Sequence, residues 1–308
     1  MPPFHFLPPL ARHAALTLLA AAAVATIRAD EPALATATKA PNGSASWDLA
    51  EFVDRLPDLF PERLPGFEPT GMLRFYVRPH FGDFLHRNFV RVPFGSRVKV
   101  TENIEYVAEL QSYFTHGLRR GEGYGLSGLH LGMKREHMLP ALNVGGFSVG
   151  VGYDTPLSRP PSDLTDGFRH LQPFVAATHE LHPKWKLLGY ATLSADFLAA
   201  TAIPPHFGRN QLHANSLALS AGVAHQWSRF HGSLTASYAS TMLMSNERHH
   251  VFALRPEIVF PWKVQPASRA QILFTVGGRA VRGPDGTELG VSSSMRVEFV
   301  LRPDNPVK

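Results

Sequence analysis

The chain contains no cysteine among its 308 residues. A disulfide framework is therefore excluded, and an exported protein of this sequence must be stabilised by its secondary structure and its surroundings. After residue 30 there is also no run of about eighteen apolar residues, which excludes a membrane-spanning helix in that part of the sequence. The mean hydropathy of −0.08 is what strands with alternating polar and apolar side chains produce.

Positive charge is in excess but is not concentrated anywhere. The formal net charge is +5 and the isoelectric point is about 9.6, yet the basic residues are spread singly, unlike those of a nucleic-acid-binding protein. No glycine-rich loop follows a strand and opens a helix. The adjacent His249 and His250, and His179 with His182, lack further ligands at fixed spacing. We predict no nucleic-acid partner, no cofactor and no metal site.

The N-terminus has the layout of an export signal. Residues 14–27 are nearly all Ala, Leu, Val and Thr, and Ala29 offers a small residue before Asp30. The apolar run is too short to span a membrane as a helix, but it has the length of a signal-peptide core. We predict a signal peptide over 1–29, cleaved after Ala29, with a buried helix as the alternative interpretation.

Most of the remaining chain alternates with a period of two. Apolar and polar residues alternate over about twelve segments that are separated by turn residues. Strands of this length, tilted by about 45°, can cross a bilayer. Because open sheet edges cannot be satisfied in lipid, we predict an all-β fold, an antiparallel transmembrane β-barrel over 71–301 with a tail at 302–308. The predicted strands are 73–80, 89–100, 104–114, 124–135, 144–155, 170–181, 185–197, 215–227, 230–243, 251–260, 270–282 and 287–301.

Residues 30–70 are predicted to form a periplasmic linker with one short helix. The part at 30–46 is rich in Ala, Thr, Pro and Ser, as flexible linkers are. At 47–60 apolar residues recur at helical spacing with acidic residues between them. This helix either plugs the barrel mouth, docks a partner or lies on the rim, and moderate amphipathicity favours the rim.

The predicted connections alternate in length. Short connections fall at 101–103, 182–184 and 228–229, and long ones at 117–123, 156–169 and 198–213. Short periplasmic turns and longer external loops are typical of outer-membrane barrels. Two connections fit less well, since 261–269 is long for a periplasmic turn and 283–286 is short for an external loop.

Three of the four tryptophans lie at the end with short turns, at intervals of about forty residues: Trp185, Trp227 and Trp262. Indole has an apolar body and one N–H donor, and it collects where hydrocarbon meets polar headgroups. We therefore predict an interfacial aromatic belt. Propeller blades also repeat at this length, but a blade holds four short strands, whereas each repeat here holds two long ones.

The bulk of the alternating side chains predicts which face points outward. Bulky residues alternate with small or polar ones, as in Leu217, Leu219, Ala221 and Val223, and in Phe147, Val149, Val151 and Tyr153. In a soluble protein the large residues would fill the interior, so we predict that here they face lipid. A soluble barrel or sandwich is the alternative, because alternation alone does not say which side is wet.

The hairpin at 97–110, with the sequence RVKVTENIEYVAEL, has a strand, a Thr-Glu-Asn turn and a second strand. In this pattern the chain resembles Gram-negative outer-membrane porin-like and transporter barrels. The resemblance is architectural and extends over 71–301. It implies an outer-membrane location and, as partners, membrane lipid, the outer-membrane assembly machinery and small solutes.

If the bulky residues face lipid, the charged residues that point inward lie on the first three and the last three strands. Closing the barrel joins them into one arc, which faces a wall rich in Gly, Ala, Ser and Thr. An excess of basic over acidic groups attracts anions, whereas a filling ladder of Arg–Glu pairs would conduct nothing. The predicted lumen-lining residues are Arg74, Arg78, Arg91, Arg97, Lys99, Glu105, Glu109, Arg255, Glu257, Arg279, Arg296 and Glu298.

The expected function is therefore that of a passive porin or small-solute channel, with a preference for anions. The alternative is a structural or adhesive barrel whose long external loops bind a partner outside the cell. An enzyme is the competing class, because His231-Gly232-Ser233 has the His-x-Ser spacing of barrels that hydrolyse lipid. That pair follows a periplasmic turn and lacks a third partner, so we predict no catalytic residues.

Overall fold

The structure is a computed structural model that describes most of the region predicted to form strands. The described residues are 63–65, 70–81, 89–115, 123–138, 145–157, 164, 167–201, 215–242, 248–263, 270–283 and 286–301. The predicted signal peptide at 1–29, the predicted helix at 47–60 and the tail at 302–308 lie outside them. Within the described residues, no helix is both long enough and apolar enough to cross a membrane.

The described residues are almost entirely β-strand. A single turn of 3₁₀-helix at Pro183–Trp185 lies between two of the strands. The strands are β1 (Leu73–Val77), β2 (Phe89–Arg91), β3 (Phe94–Lys99), β4 (Ile104–Thr115), β5 (Tyr124–Met138), β6 (Gly146–Pro156), β7 (Phe168–His182), β8 (Leu187–Ala200), β9 (Ser216–Gln226), β10 (His231–Met242), β11 (Arg248–Lys263), β12 (Ala270–Gly283) and β13 (Gly286–Leu301).

The sheet closes on itself through antiparallel pairs. Each strand from β4 onward pairs with the next along the chain, and β1 pairs with both β3 and β13. The seam between the first and last strands aligns Leu73 with Leu301 and Val77 with Val297. With β4 also paired to β5, each strand of this ring except the short β2 has a partner strand on both sides, as a sheet in lipid requires.

The strands β2 and β3 are two parts of one barrel strand. Both pair with β4 in a single register, from Phe89 opposite Thr115 to Lys99 opposite Glu105. The interruption falls at Val92 and Pro93, where proline has no N–H to give to the ladder. The ring therefore has twelve strands, and the predicted antiparallel barrel of about twelve strands is confirmed.

Some predicted strand bounds differ from those in the structure. Strand β1 ends at Val77 rather than at residue 80, although Arg78 N–H still donates to Pro93 O at 2.8 Å. Strand β11 continues to Lys263, three residues past its predicted end, so Trp262 lies in a strand and not in a turn. All three residues of the Phe-Pro-Trp sequence at 260–262 are apolar and exposed, so the strand continues here without the alternation that the prediction followed.

The outer face is bulky and apolar, and the inner face is small or polar. Val149 and Val175 are 46% and 48% exposed, whereas their chain neighbours Ser148 and Ala176 are 0% and 1% exposed. The same contrast separates Leu217, 50% exposed, from Ala218, 6% exposed. This is the inverse of a soluble barrel and is the pattern of a wall with lipid outside.

Large rings on the inner face lie directly across the ladder from glycines. The pairs are Tyr76 with Gly95, Phe174 with Gly150, and Tyr190 with Gly222. A Cβ atom on Gly222 would lie 2.6 Å from Cε2 of Tyr190 and 2.5 Å from the carbonyl oxygen of Leu234. The ring therefore occupies the space that a side chain on the neighbouring strand would need.

We expect Gly222→Ala to destabilise the barrel, because its Cβ would overlap a ring and a carbonyl oxygen that the closed ladder holds in place. The expected loss in the free energy of unfolding is about 1–3 kcal/mol, as for other overpacked sites. Urea unfolding of detergent-solubilised protein, followed by tryptophan fluorescence, measures it. Gly132→Ala is the matched control, since the nearest atoms to its Cβ lie at 3.4 and 3.5 Å. Equal losses in both variants would contradict this explanation.

Candidate functional site: the charged interior of the barrel

A cluster of charges crosses the seam between the first and last strands, and we call it the seam cluster. Glu298 on β13 binds Arg74 on β1 at 3.0 Å and Arg296 on its own strand at 3.2 Å. The side-chain amide of Gln271 on β12 also donates to Glu298. Glu298 is 3% exposed, so these donors take the place of water around its charge. The cluster thereby joins three strands from inside.

The seam cluster continues to β4 through Tyr76. The Tyr76 hydroxyl donates to the Glu109 carboxylate at 2.9 Å, and Arg78 approaches the same carboxylate at 3.3 Å. The guanidinium of Arg296 lies 4.4 Å from the centre of the Tyr76 ring, which is a cation–π contact. Among the described residues of this cluster, three arginines contact two carboxylates, so the cations are in excess. The arginines are Arg74, Arg78 and Arg296, and the carboxylates are those of Glu109 and Glu298.

A second group of charges, the turn cluster, lies beside the short connection between β3 and β4. Arg97 binds Glu105 at 2.6 Å, Glu105 binds Lys134 at 3.3 Å, and Lys134 binds Glu136 at 3.0 Å. Lys99 also pairs with Glu136. Lys99, Glu105 and Lys134 are between 1% and 2% exposed. Again three cations share two carboxylates, now across β3, β4 and β5.

The structure places the predicted lining residues as follows. Ten of the twelve take part in ion pairs on the buried face: Arg74, Arg78, Arg97, Lys99, Glu105, Glu109, Arg255, Glu257, Arg296 and Glu298. Arg255 and Glu257 are the loosest pair, at 3.8 Å, and Glu257 keeps 27% of its side chain exposed. Arg91 on β2 and Arg279 on β12 are half-buried. The sequence interpretation did not include Lys134 and Glu136, which complete the turn cluster.

The wall formed by β5 to β8 holds two His–Asp pairs that sequence reasoning missed. His130 on β5 lies 2.8 Å from Asp154 on β6, and His170 on β7 lies 2.9 Å from Asp196 on β8. Gln172 donates to Asp196 at 3.4 Å. The alternation of each strand marks these residues as inward, but only the register between strands shows that they pair.

The rest of that wall is lined by hydroxyl groups, as the prediction of small and polar residues expects. The Tyr190 and Thr235 hydroxyls are 2.8 Å apart, and the Ser220 hydroxyl donates to that of Ser237 at 2.9 Å. These four side chains are buried on β8, β9 and β10. The charged arc and the hydroxyl wall therefore face each other across the interior.

A short piece of chain from before the barrel also lies on the inner face. Arg63 is 6% exposed, and its guanidinium donates to the side-chain oxygen of Gln172 at 3.0 Å. Lys134 donates to the carbonyl oxygen of Leu64 at 2.6 Å. Nothing in the sequence pattern predicted that residues 63–65 would contact β5 and β7.

The three tryptophans lie on the outside at the end with short connections. Trp185, Trp227 and Trp262 are 67%, 45% and 62% exposed. The Trp227 ring stacks on that of Phe230 at 4.6 Å, and Phe230 packs against Phe260 on β11 at 5.9 Å. An aromatic cluster therefore covers the outer surface where β9, β10 and β11 end.

The patterns that first suggested catalysis or metal binding fall on separate strands. His231 and Ser233 are the first and third residues of β10, directly after the turn that Trp227 N–H closes on Phe230 O at 2.9 Å. His179 lies on β7, and His250 on β11 is 2.7 Å from the Tyr238 hydroxyl. Among the described residues, no three His, Cys, Asp or Glu side chains are grouped as a metal site would require.

Comparison with solved structures shows the same architecture. An outer-membrane channel from Pseudomonas putida F1 superposes with a TM-score of 0.50 and 11% identity, over 77% of this chain and 99% of the channel. The KdgM porin in complex with disordered oligogalacturonate gives 0.42 and 6%, over 75% and 99%. The NanC porin gives 0.43 and 10%, over 75% and 99%.

No protein-family description matches the sequence. The search of curated proteins also finds no match. At these identities the likeness is one of fold, and the fold is that of outer-membrane channel barrels.

We expect Glu298→Ala to weaken closure of the barrel. Its removal leaves Arg74 and Arg296 with excess positive charge in a buried seam, and breaking a buried ion pair in this way costs about 3–5 kcal/mol. The temperature at which the compact, heat-modifiable band disappears on electrophoresis measures the change. Glu257→Ala is the control, because that carboxylate is more exposed and its pair is looser. A larger effect in the control would refute the role assigned to the seam cluster.

Proposed function

We propose that this chain is an outer-membrane channel for small solutes with a preference for anions. The observation that carries the proposal is the charge on the inner face of a closed barrel. In both the seam cluster and the turn cluster, three cations share two carboxylates. A surplus of fixed positive charge inside low-dielectric walls raises the local concentration of anions.

The inner face of the barrel differs from a sealed core in its composition. On the inner face of β9 and β10, where bulky apolar side chains could stand, the buried side chains are Ser, Thr and Ala. Small hydroxylated walls leave room for water and can exchange hydrogen bonds with a hydroxylated solute. The charged arc supplies attraction and the hydroxyl wall supplies a wet, uncharged surface across from it. We therefore propose that the twelve predicted lining residues act as lumen-lining groups.

The proposal includes the location and the partners. A wall whose bulky residues face outward is satisfied only in lipid, and the likeness to an outer-membrane channel fold is consistent with that setting. The apolar run at 14–27 supports export through a signal peptide cleaved after Ala29. Insertion of a barrel into the outer membrane implies contact with the assembly machinery as well as with lipid.

A binding or catalytic function has less support in the structure. An adhesive barrel would use its long external connections, and most of 156–169 and 198–213 lies outside the described residues. A lipid-acting barrel would need His231 and Ser233 near the outer leaflet. Both residues lie instead at the start of β10, at the end where connections are short.

We expect unitary, anion-selective currents in planar bilayers, since fixed positive charge favours anions in the lumen. Arg279→Glu should shift the reversal potential in a salt gradient toward cation selectivity, and the shift should fade at high ionic strength, where the Debye length falls to about 3 Å. Arg282→Glu on the same strand is the control, because Arg282 is exposed on the outer face. Absence of unitary currents, or equal shifts for both variants, would contradict the proposal.

We also propose that Trp185, Trp227 and Trp262 form an interfacial belt. The Trp47→Phe variant removes the fourth tryptophan, so that only these three contribute to the fluorescence. In this variant a lipid brominated near the headgroup should quench the fluorescence more than a lipid brominated near the end of the acyl chain, because indole prefers the interface. Val276, exposed on the outer face in the middle of β12, provides a deeper site for a comparison tryptophan introduced by Val276→Trp. Stronger quenching of the native tryptophans by the deep label would disprove the belt.

A further inference from the structure

We propose that the inner wall of β5, β6 and β7 is a guanidinium-binding site, that the chain's own Arg63 occupies it, and that external guanidinium compounds compete with Arg63 for it. The proposal goes beyond conduction and rests on the proposed function only in that solutes reach the site through the lumen. The site borders the turn cluster at Lys134, but the group that occupies it is a cation. The chemical class of ligand follows from the contacts that Arg63 makes.

The Arg63 side chain has two distinct contacts on β7. One nitrogen donates to the Gln172 side-chain oxygen at 3.0 Å, and the guanidinium carbon lies 5.4 Å from the centre of the Phe174 ring. A planar, weakly hydrated cation is suited to both, since it can lie near a ring and direct N–H groups at an oxygen in its own plane. A compact ammonium ion is strongly hydrated and lacks this planar fork.

The wall around Arg63 is built to favour a cation. Gln172 accepts from Arg63 through its oxygen and donates through its nitrogen to Asp196 at 3.4 Å, so the amide is oriented by a carboxylate on the next strand. Asp154 on β6 lies on the same wall, 2.8 Å from His130. Both aspartates are paired with histidines on this wall. Asp196 also accepts from the Gln172 amide, so that the Gln172 oxygen is turned toward Arg63.

Phe174 has its position because the strand beside it carries glycine. A Cβ atom on Gly150 would lie 2.5 Å from Cζ of Phe174, so any other residue would displace the ring. Phe174 is 8% exposed and cannot turn outward without abandoning the inner face. The aromatic surface under the guanidinium is thus fixed by the sequence of β6 as well as that of β7.

The backbone of Arg63 and of the residue after it is bound too. The hydroxyl of Ser148, which is fully buried, donates to the carbonyl oxygen of Arg63. Lys134, held in the turn cluster, donates to the carbonyl oxygen of Leu64 at 2.6 Å. Pro65 is buried as well. Three strands therefore hold residues 63–65 as they would hold a peptide ligand, with Arg63 as its specific side chain.

A single cysteine tests the occupancy directly, because the native chain has none. We would introduce Leu64→Cys and measure the rate at which the new thiol reacts with a hydrophilic maleimide on detergent-solubilised protein. Adding Arg63→Ala should raise the rate by about tenfold or more, since it removes a charged hydrogen bond and a cation–π contact together. Phe174→Leu should raise it by a smaller factor. Tyr190→Leu is the control for losing an inner-face ring and should leave the rate unchanged.

Competition identifies the chemical class of ligand. Methylguanidinium chloride should accelerate labelling of the introduced thiol in the Leu64→Cys chain that keeps Arg63, whereas methylammonium chloride and sodium chloride at the same ionic strength should not. No acceleration is expected with Arg63→Ala, because the side chain with which the guanidinium compound competes is absent. An unchanged rate in the Arg63→Ala variant would refute the occupancy, and equal acceleration by all three salts would refute the guanidinium site.

Two checks keep the result decisive. Each variant is first shown to migrate as a compact, heat-modifiable band, so that a fast labelling rate cannot come from an unfolded barrel. If Arg63→Ala fails this check, the labelling rate of Phe174→Leu is compared with that of Tyr190→Leu, and a faster rate in Phe174→Leu supports the occupancy. The labelling is measured without any current, so its outcome is independent of whether the barrel conducts. The channel proposal and the guanidinium proposal can therefore fail separately.

Discussion

Closure of the hydrogen-bond ladder is the constraint from which the rest of this structure follows. A strand in hydrocarbon has no water to satisfy its N–H and C=O groups, so the first and last strands must find each other. Here the meeting is brief, because β1 contributes only Leu73–Val77 to the seam with β13. The ladder gains support beyond that segment, where Met295 N–H donates to Pro79 O at 3.1 Å. The seam cluster adds side-chain bonds across the same junction.

Closure also determines the electrostatics of the interior. Once bulky side chains face lipid, the buried charges of the two clusters lie on the inner face, where the surroundings cannot solvate bare charges as bulk water does. The ion pairs of the seam and turn clusters are the consequence. Among the described residues of these clusters, the cations outnumber the carboxylates. In the function that we propose, this ratio gives the wall its preference for anions.

The sequence was sufficient to predict the fold and the phase of the strands, because both depend on local alternation. It predicted that Leu217 and Val149 face outward, and it predicted a barrel of about twelve strands. It did not predict that the Phe-Pro-Trp segment continues β11, because three consecutive apolar residues do not alternate. The pairs His130–Asp154 and His170–Asp196 were also missed, because an inward residue is visible from phase but its partner is set by register.

The position of Arg63 shows why long-range contacts were beyond that reasoning. Arg63 is separated by 109 residues from Gln172, and no period in the sequence connects them. What the sequence does contain is the complement, namely Gly150, which leaves room for the ring of Phe174, and Gln172, which lies two residues before that ring on β7. Their presence beside a buried arginine is explained if this part of the wall binds a cation, while the opposite arc attracts anions.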